Sequence, residues 1–449
     1  MSVQERGNLG RRSILAGLTG AGAIAGSLAL GSGSAAAATI GLDTYVVNVL
    51  AKGADPTGQT PSDQAFHDAA AELLGSFQTP PLSGAIPKKV LLVPPGNYLL
   101  TQPDQLLPGE AGPGHGGIVD GIAIVGYGKR LSRITYAPTA RNTTFWTNRD
   151  RYKNIRISGL TFDSKDATST FNYAFSSDAG GVQDTWYTDV EWHGDWKAGI
   201  VLDGAPDREP GDTTSPQSDL NSEMGWDHCQ VGGSYTDAFL VIGASPTESQ
   251  QDQFLNFWFR DCKVEFKYGT FVRNERGGSM NFTGGSYILT DPNTAGTFFK
   301  LGGTTGRADS VNRLYVQGIR FEIRSAKHKV IDSAWYKGNI TFVSCDDTAL
   351  SFQSWATTAQ PHVYRFDAVT PNRAPMIRYQ DCALMGSHQI TSPTATTAGK
   401  LLYDGCRFID MTTGTGGTAA FLRWTGVAPW YEFKDCLIGS TRLADAKGQ

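Results

Sequence analysis

Charged residues recur at one position in a series of short apolar segments near the middle of the chain. When these segments are aligned on their first residue, a charged residue fills the fifth position of four of them: Asp203, Arg273, Lys300 and Asp332. Arg273 and Lys300 would repel each other on neighbouring strands, so an anion such as a uronate carboxylate would fit between them. The two aspartates suit acid, base or metal-ligand chemistry. The pattern predicts a charged stripe on one outer sheet, with these four residues as catalytic candidates.

Two more charged residues extend this stripe into the loop that follows it. Glu275 is a further catalytic candidate, and Arg276 is a candidate for substrate binding. The long polar segments 204–222 and 244–253 follow strands of the same series, and such loops often wall a binding groove. A solvated surface held by ion pairs such as Lys300–Asp332, with the two segments as simple surface insertions, explains the same pattern.

A second charged stripe contains a histidine between two tryptophans. Its members are Asp163, His193, Glu265 and Glu322. Because a sugar ring stacks well on the apolar face of an indole, Trp192, His193 and Trp196 are candidates for substrate binding. The alternative is that both tryptophans belong to the core.

These stripes require a scaffold that places equivalent residues side by side, and the chain contains a repeat that does so. The frame apolar-x-apolar-x-x-Cys-x-apolar recurs about every 31 residues when the cysteine, here called the key position, is allowed to vary. The key positions are Tyr127, Leu160, Val190, Cys229, Cys262, Gly285, Ile319, Cys345, Cys382, Cys406 and Cys436. Alternating apolar residues predict short strands, and stacked coils bury the face that one coil cannot. The repeat predicts a right-handed parallel β-helix, because β-propeller blades of about 40–50 residues are longer.

Two local features support this architecture. The residue before the key position is often Asp, Gly, His or Ser, which tolerate left-handed bends, and His228 is interpreted as one such bend residue. An exported protein with six cysteines would ordinarily contain disulfides. Coils about 4.8 Å apart instead place equivalent Cβ atoms farther apart than a disulfide prefers, so we predict buried free thiols in one column.

The segment before the first coil predicts a capping helix. Thr60 is the predicted N-cap, followed by Pro61 and Asp63 in the first turn. The apolar side chains that follow fall on one helical face: Phe66, Ala69, Ala70, Leu73 and Leu74. Such a helix would cover the exposed end of a solenoid.

Residues 1–38 resemble a twin-arginine signal peptide. Arg11 and Arg12 precede a weakly apolar run over 14–30, and small residues over 34–38 provide a cleavage site. A membrane anchor is the alternative, but the run is shorter than a spanning helix needs. The sequence therefore predicts a secreted protein, with residues 39–449 forming one β-helix domain and residues 44–100 its cap and first coil.

The composition excludes several classes of protein. Of the 449 residues, 18% are charged and 53 are glycine, and the net charge is −4. This balance excludes a disordered chain and a coiled coil, and it argues against nucleic-acid binding or membrane association after signal removal. Phosphate-binding loops, serine-nucleophile elbows and zinc-ligand spacings are missing from the sequence. No cofactor is required by any motif, and calcium stays an open alternative that no motif demands.

The opening of the domain resembles the pectate-lyase-like superfamily, which includes phage tailspikes and polygalacturonase-related enzymes. The similarity lies in the segments 45–58 and 89–98, which read as a strand, a Gly-rich turn at Asp55 and a strand ending in Pro-x-Gly-x-Tyr. This resemblance implies a single-stranded right-handed parallel β-helix with an N-terminal cap, and the eleven key positions correspond to about 11–12 coils. It also implies a polysaccharide substrate, lyase or hydrolase chemistry, and the homotrimer that many tailspike-like members form.

The catalytic motifs of the best-known members are missing. The chain has neither the Arg-x-Pro-x-x-Arg segment of pectate lyases nor the Gly-His-Gly and Arg-Ile-Lys pair of polygalacturonases. Only Cys345-Asp346-Asp347 faintly resembles the Asp-Asp-Cys element of polygalacturonases, so no catalytic residue is carried over. The sequence thus predicts a secreted polysaccharide-degrading enzyme, lyase or glycoside hydrolase, with a non-catalytic glycan- or surface-binding β-helix as the alternative.

Overall fold

A computed structural model describes residues 45–75, 89–108, 119–149, 152–175, 183–203, 221–244, 254–275, 278–302, 312–335, 337–349, 358–366, 375–392, 399–409, 421–426 and 428–448. The predicted signal peptide, Arg276 and nearly all of the two predicted groove loops lie outside these ranges.

Three parallel β-ladders run along the described chain; ladders 1 and 2 begin with the first coils, and ladder 3 begins at Thr144. Ladder 1 consists of Val46–Asn48, Val90–Val93, Val119–Gly126, Tyr152–Ser158, Gln183–Thr188, Ser222–Asp227, the first halves of Phe257–Phe266 and Ser279–Leu289, Arg313–Gln317, Asn339–Val343, Met376–Gln380, Lys400–Asp404 and Trp430–Lys434. Ladder 2 consists of Gly96–Leu100, Ser132–Tyr136, Thr161–Lys165, Glu191–Trp196, Gln230–Val231, Ser234–Tyr235, the second halves of the same two long strands, Arg320–Ile323, Asp346–Ala349, Ala383–Met385, Arg407–Ile409 and Leu437–Ile438. Ladder 3 consists of Thr144–Arg149, Thr170–Phe175, Ala198–Asp203, Ala238–Ile242, Gly269–Asn274, Gly296–Leu301, His328–Ser333, His362–Arg365, His388–Ser392 and Leu422–Gly426.

In ten of the coils the chain turns from ladder 1 to ladder 2 at a left-handed residue, and in one of these the next residue, Gly285, is left-handed as well. The corner residues all have positive φ: Gly159, Asp189, His228, Asp261, Gly284, Gly318, Ser344, Asp381, Gly405 and Asp435. Each directly precedes a key position, as the sequence predicted, because glycine and short polar residues adopt this conformation at the lowest cost. The sharp corner makes the faces of ladders 1 and 2 neighbours.

The core is a stack of equivalent side chains, one layer per coil. Along ladder 1, one inner column contains Tyr187, Trp226 and Phe259, and the rings of Trp226 and Phe259 stack at 4.2 Å. All six cysteines are buried and free, which confirms the predicted thiols, and burial raises the pKa of Cys229 well above its usual value. Tyr127 is an exception to the pattern, since it is exposed although it fills the first key position.

One α-helix, Asp63–Gly75, covers the N-terminal end, and its predicted apolar face is buried. The predicted N-cap at Thr60 is wrong, because the helix begins three residues later. Ser62 donates its backbone N–H to the carbonyl oxygen of Leu99, which holds the preceding residues against the first coil. Asp63 accepts hydrogen bonds from the backbone of Thr101 and Gln102. The parallel β-helix and its cap, the architecture implied by the resemblance, are confirmed.

At the C-terminal end of the described chain two short antiparallel strands complete the ladders. Ala446–Gly448 pairs with the last strand of ladder 1, and Thr441–Arg442 pairs with the last strand of ladder 2. Within the described ranges, no helix is long and apolar enough to cross a membrane.

Candidate functional site on the outer face of ladder 2

Three of the four residues of the first predicted stripe share one column of ladder 3. Arg273 pairs with Lys300, and Lys300 pairs with Asp332, as predicted. The predicted position of Asp203 is wrong, because Val201 occupies this column opposite Val241. The strand that ends at Asp203 is therefore shifted by two residues from the alignment on its first glycine.

The positive charge of Arg273 is already balanced on both sides. Its Nη1 donates to Glu275 at 2.7 Å and its Nη2 donates to Asp237 at 2.8 Å. Only 23% of the Arg273 side chain is exposed, so this network is half-buried. One cation between two carboxylates gives this cluster a net negative charge, so Arg273 offers no unbalanced positive charge to an anionic substrate.

Asp332 is held as an ionised carboxylate at the other end of this column. Lys329 donates to it at 2.6 Å, and both Nη atoms of Arg365 donate to it. Burial alone would raise the pKa of Asp332, but these hydrogen bonds lower it below its usual value. Lys300 is exposed and forms no ion pair with any described residue; the sequence alternative of a Lys300–Asp332 pair is wrong.

The earlier coils of ladder 3 carry an apolar outer patch instead of charge. Ala198, Val201, Ala238 and Val241 are buried on this side of the sheet and pack together. Beside them the Tyr173 hydroxyl donates to Asp203. Burial and this hydrogen bond raise the pKa of Tyr173, so the phenol remains neutral. The predicted groove over this face depends on segments that lie outside the described residues.

The second predicted stripe has the predicted register on ladder 2. Asp163 and His193 are paired residues of neighbouring coils, and the column continues to Glu265 and Glu322. The two glutamates each contact neighbouring cations: Lys263 binds Glu265, while Arg320 and Arg324 bind Glu322. Only the Asp163 end of the column includes a histidine.

Asp163 lies fully buried beneath three basic side chains. Arg133 and Lys165 donate to Oδ2, the latter at 2.6 Å, and Nδ1 of His193 lies 2.9 Å from Oδ1. Burial alone would raise the pKa of Asp163, but the hydrogen bonds from His193, Lys165 and Arg133 lower it well below its usual value. Asp163 is therefore an ionised acceptor at neutral pH.

The imidazole of His193 is oriented by this carboxylate. Because an ionised carboxylate only accepts hydrogen bonds, Nδ1 carries the hydrogen and Nε2 is the free nitrogen. No described residue hydrogen-bonds Nε2, and 55% of the side chain is exposed. Lys165 is 55% exposed and Arg133 36% exposed beside it. A base thus stands next to two cations on an open face, an arrangement called here the Asp163–His193 site.

The predicted roles of Trp192 and Trp196 in stacking on sugar are wrong. Both side chains are buried in the core, and Trp196 donates its Nε1 hydrogen to the carbonyl oxygen of His193. Strand alternation explains the difference, since a strand that directs His193 outward directs both tryptophans inward. Trp196 therefore supports the backbone of His193 from beneath.

Sequence reasoning missed Arg133 and Lys165, and it missed two tryptophans on ladder 1. Lys165 follows Asp163 by two residues and so faces the same side of the sheet. Trp186 and Trp258 each stand four residues before a key position and are half-buried on the outer face. Counting from the key position, rather than from the start of each strand, would have found both tryptophans.

Asp347, in the element that faintly resembles a polygalacturonase motif, lies inside the solenoid. Its carboxylate is 2.7 Å from Nε2 of His362, whose Nδ1 is 2.9 Å from the hydroxyl of Tyr379. All three side chains are buried. This is a hydrogen-bonded core network with no access for a polymer, so Asp347 is not a site residue.

No group of three or more His, Cys, Asp or Glu side chains suited to hold a metal ion occurs in the part of the chain described above.

Solved structures that are similar to this chain share very low sequence identity with it. No family model and no curated protein matches it. The catalytic domain of Agl-KA is 11% identical with a TM-score of 0.49, and the similarity covers 92% of this chain and 68% of that one. The catalytic unit of a GH87 α-1,3-glucanase from Streptomyces thermodiastaticus strain HF3-3 is 13% identical, with a TM-score of 0.35 and coverages of 90% and 70%. An exopolygalacturonase from Thermotoga maritima is 10% identical, with a TM-score of 0.39 and coverages of 90% and 94%. At this level of identity the similarity concerns the fold alone.

Proposed function

We propose that this protein is a polysaccharide-degrading enzyme that cleaves an acidic polymer by elimination at the Asp163–His193 site. The observation that carries the proposal is the exposed imidazole, fixed by a buried carboxylate and flanked by Arg133 and Lys165. A uronate ring next to this face would place its carboxylate near the cations and its α-hydrogen near Nε2. The negative charge that develops during proton abstraction would then be stabilised by positive side chains.

The elimination is balanced as follows. Nε2 of His193 takes the proton from the carbon next to the uronate carboxylate, and that electron pair forms a carbon–carbon double bond. The glycosidic carbon–oxygen bond at the neighbouring carbon breaks, and the leaving oxygen takes a proton from solvent or from the imidazolium. The products are a new reducing end and an unsaturated sugar at the other new end.

Elimination fits the charges better than hydrolysis does. Glycoside hydrolysis generally requires a protonated carboxylic acid beside the scissile bond. Asp163 and Asp332 each lie among cations that lower the pKa of the carboxyl group. Neither is suited to donate a proton near neutral pH.

A panel of polysaccharides tests this function. The protein is incubated separately with polygalacturonate, alginate, hyaluronan and a neutral glucan, and both ultraviolet absorbance and new reducing ends are followed. Elimination predicts that the two signals rise together on an acidic polymer. New reducing ends without a rise in ultraviolet absorbance would show that the protein is a hydrolase and not a lyase. Binding of a polysaccharide without either signal would favour the non-catalytic alternative.

We also propose that the protein is exported through the twin-arginine pathway. The proposal rests on the pair Arg11–Arg12 ahead of a weakly apolar run. Replacing both arginines by lysine should abolish the appearance of processed protein outside the cytoplasm. Export that is unchanged by this double substitution would contradict the proposal.

A further inference from the structure

Two tryptophans on the outer face of ladder 1 form a feature that the chemistry at ladder 2 does not use. Trp186 and Trp258 lie two coils apart in one column, and Gly225 stands between them. Their ring centroids are 5.8 Å apart and their planes differ by 12°. Both side chains are half-buried and keep part of their surface exposed. This pair is called the indole platform.

Gly225 is what allows the platform to form. A Cβ atom at this position would lie 2.2 Å from Cε3 of Trp186, so even alanine would push the ring aside. A strand interior ordinarily disfavours glycine, and its presence often marks a place where another group approaches closely. Here the indole of Trp186 occupies the space above the strand.

The platform is oriented by polar and charged neighbours. The Nε1 hydrogen of Trp186 is donated to Asp184 at 2.9 Å, and Arg156 binds the same carboxylate at 2.9 Å. The guanidinium carbon of Arg260 lies 5.0 Å from the Trp186 ring centroid. A fixed ring loses little freedom when a ligand binds, which favours affinity.

The rim of the platform presents hydrogen-bond acceptors and a slight negative charge. Glu223 and Asp227 stand on either side of Gly225 along one strand and face outward, and both are half-buried. Together with Asp184 they contribute three carboxylates, against the two guanidinium groups of Arg156 and Arg260. This balance does not favour a polyanion, whereas carboxylates readily accept hydrogen bonds from hydroxyl groups.

We propose that the indole platform is a binding site for neutral polysaccharide, separate from the Asp163–His193 site and independent of the elimination proposed there. The ligand class is a chain of pyranose rings with equatorial substituents. Such rings expose flat faces of C–H bonds that pack on indole, while their hydroxyl groups point sideways toward the carboxylate rim. The face would hold the protein on a neutral glycan.

Affinity electrophoresis in native gels tests the platform. The probe is hydroxyethylcellulose, a soluble neutral β-1,4-linked glucan, and a parallel gel contains polygalacturonate. The wild-type protein should be retarded by hydroxyethylcellulose. Trp186→Ala and Trp258→Ala should each weaken the retardation about tenfold, as expected for a central aromatic contact. Trp424→Ala is the matched control, because Trp424 is 45% exposed on ladder 3 and its loss should change nothing.

Two further variants separate ligand contact from folding. Trp186→Phe keeps an aromatic face and should retain most of the retardation, while Gly225→Ala keeps both indoles but displaces one and should reduce it. Thermal unfolding followed by circular dichroism identifies any variant that does not fold. The proposal would be overturned if hydroxyethylcellulose did not retard the wild type, or if both tryptophan-to-alanine variants were retarded as strongly as the wild type. It would also be overturned if the protein preferred polygalacturonate and this preference were lost in the tryptophan variants.

Discussion

The outer faces of ladders 2 and 3 both hold a carboxylate between two cations, yet only one of them also holds a base. Asp332 on ladder 3 is bound by Lys329 and Arg365. Asp163 on ladder 2 is bound by Arg133 and Lys165, and in addition by the imidazole of His193. The charges on the two faces are similar, whereas the groups able to move a proton near neutral pH are not.

This difference shows that a stripe of charged residues does not by itself make an active site. On ladder 3 the partners of each charge complete an ion-pair network, and Arg273 between Asp237 and Glu275 is the clearest case. On ladder 2 the buried carboxylate fixes a ring whose second nitrogen faces solvent. The first arrangement stabilises the sheet, and the second can also perform acid–base chemistry.

The largest effect is expected from Asp163→Asn. The substitution removes the negative charge that fixes the His193 tautomer, so activity on the acidic polymer should fall by about 10²–10⁴. Initial rates of unsaturated-product formation measure this. Asp332→Asn is the matched control on ladder 3 and should leave the rate within about threefold; equal losses in both variants would remove the distinction between the faces.

The same variant should lose stability in a pH-dependent way. Charge-assisted hydrogen bonds to Asp163 are worth about 1.5–3 kcal/mol. Because folding lowers the pKa of Asp163, this stability is present above the unfolded pKa of about 3.9 and is lost as pH falls through the lower folded value. The difference in unfolding free energy between wild type and Asp163→Asn should be present at neutral pH and shrink as the pH falls below about 4. A difference that grows below about pH 4 would contradict the assignment of Asp163 as ionised.

A smaller effect is expected from Arg273→Ala. This change leaves Asp237 and Glu275 next to each other without their shared cation, so unfolding free energy should fall by about 1–2 kcal/mol. Catalytic rate should remain within about twofold of the wild type. Chemical denaturation measures the stability, and the unsaturated-product assay measures the rate. A hundredfold loss of rate in a folded variant would indicate that the active site lies on ladder 3.

The smallest effect is expected from Lys300→Ala. Its side chain is exposed and forms no ion pair with the described residues, and such surface substitutions usually change stability by less than about 0.5 kcal/mol. Both stability and rate should match the wild type. A substantial loss of polymer affinity would show that the ladder 3 face binds the substrate after all.

The repeat could be predicted because it depends on local chemistry. Alternating apolar residues specify the strands, and residues such as Asp189 and His228 specify the left-handed corners one position before each key residue. Asp163 and His193 could be placed in one column by counting from these corners. The register of Asp203 could not be predicted in the same way, because a glycine at the start of a strand does not fix register when the preceding turns differ in length.

The roles of individual side chains depended on contacts that distant coils provide. Nothing near Arg273 in the sequence indicates that Asp237, which precedes it by 36 residues, balances its charge. The residue type of Trp192 and Trp196 suggests stacking on a sugar ring. Because alternation along the strand directs His193 outward, both tryptophans point into the core. Trp186, in contrast, lies on the outer face, and its position there depends on Gly225 in the next coil.

The most direct test of the central claim is the rate of unsaturated-product formation by His193→Ala, measured with and without added imidazole. If His193 is the base, the variant should lose about 10²–10⁴ of the wild-type rate and free imidazole should restore part of it. Arg273→Ala, assayed on the same polymer, should show neither the loss nor the rescue. A His193→Ala variant that is folded and as active as the wild type would contradict the assignment of the active site to ladder 2.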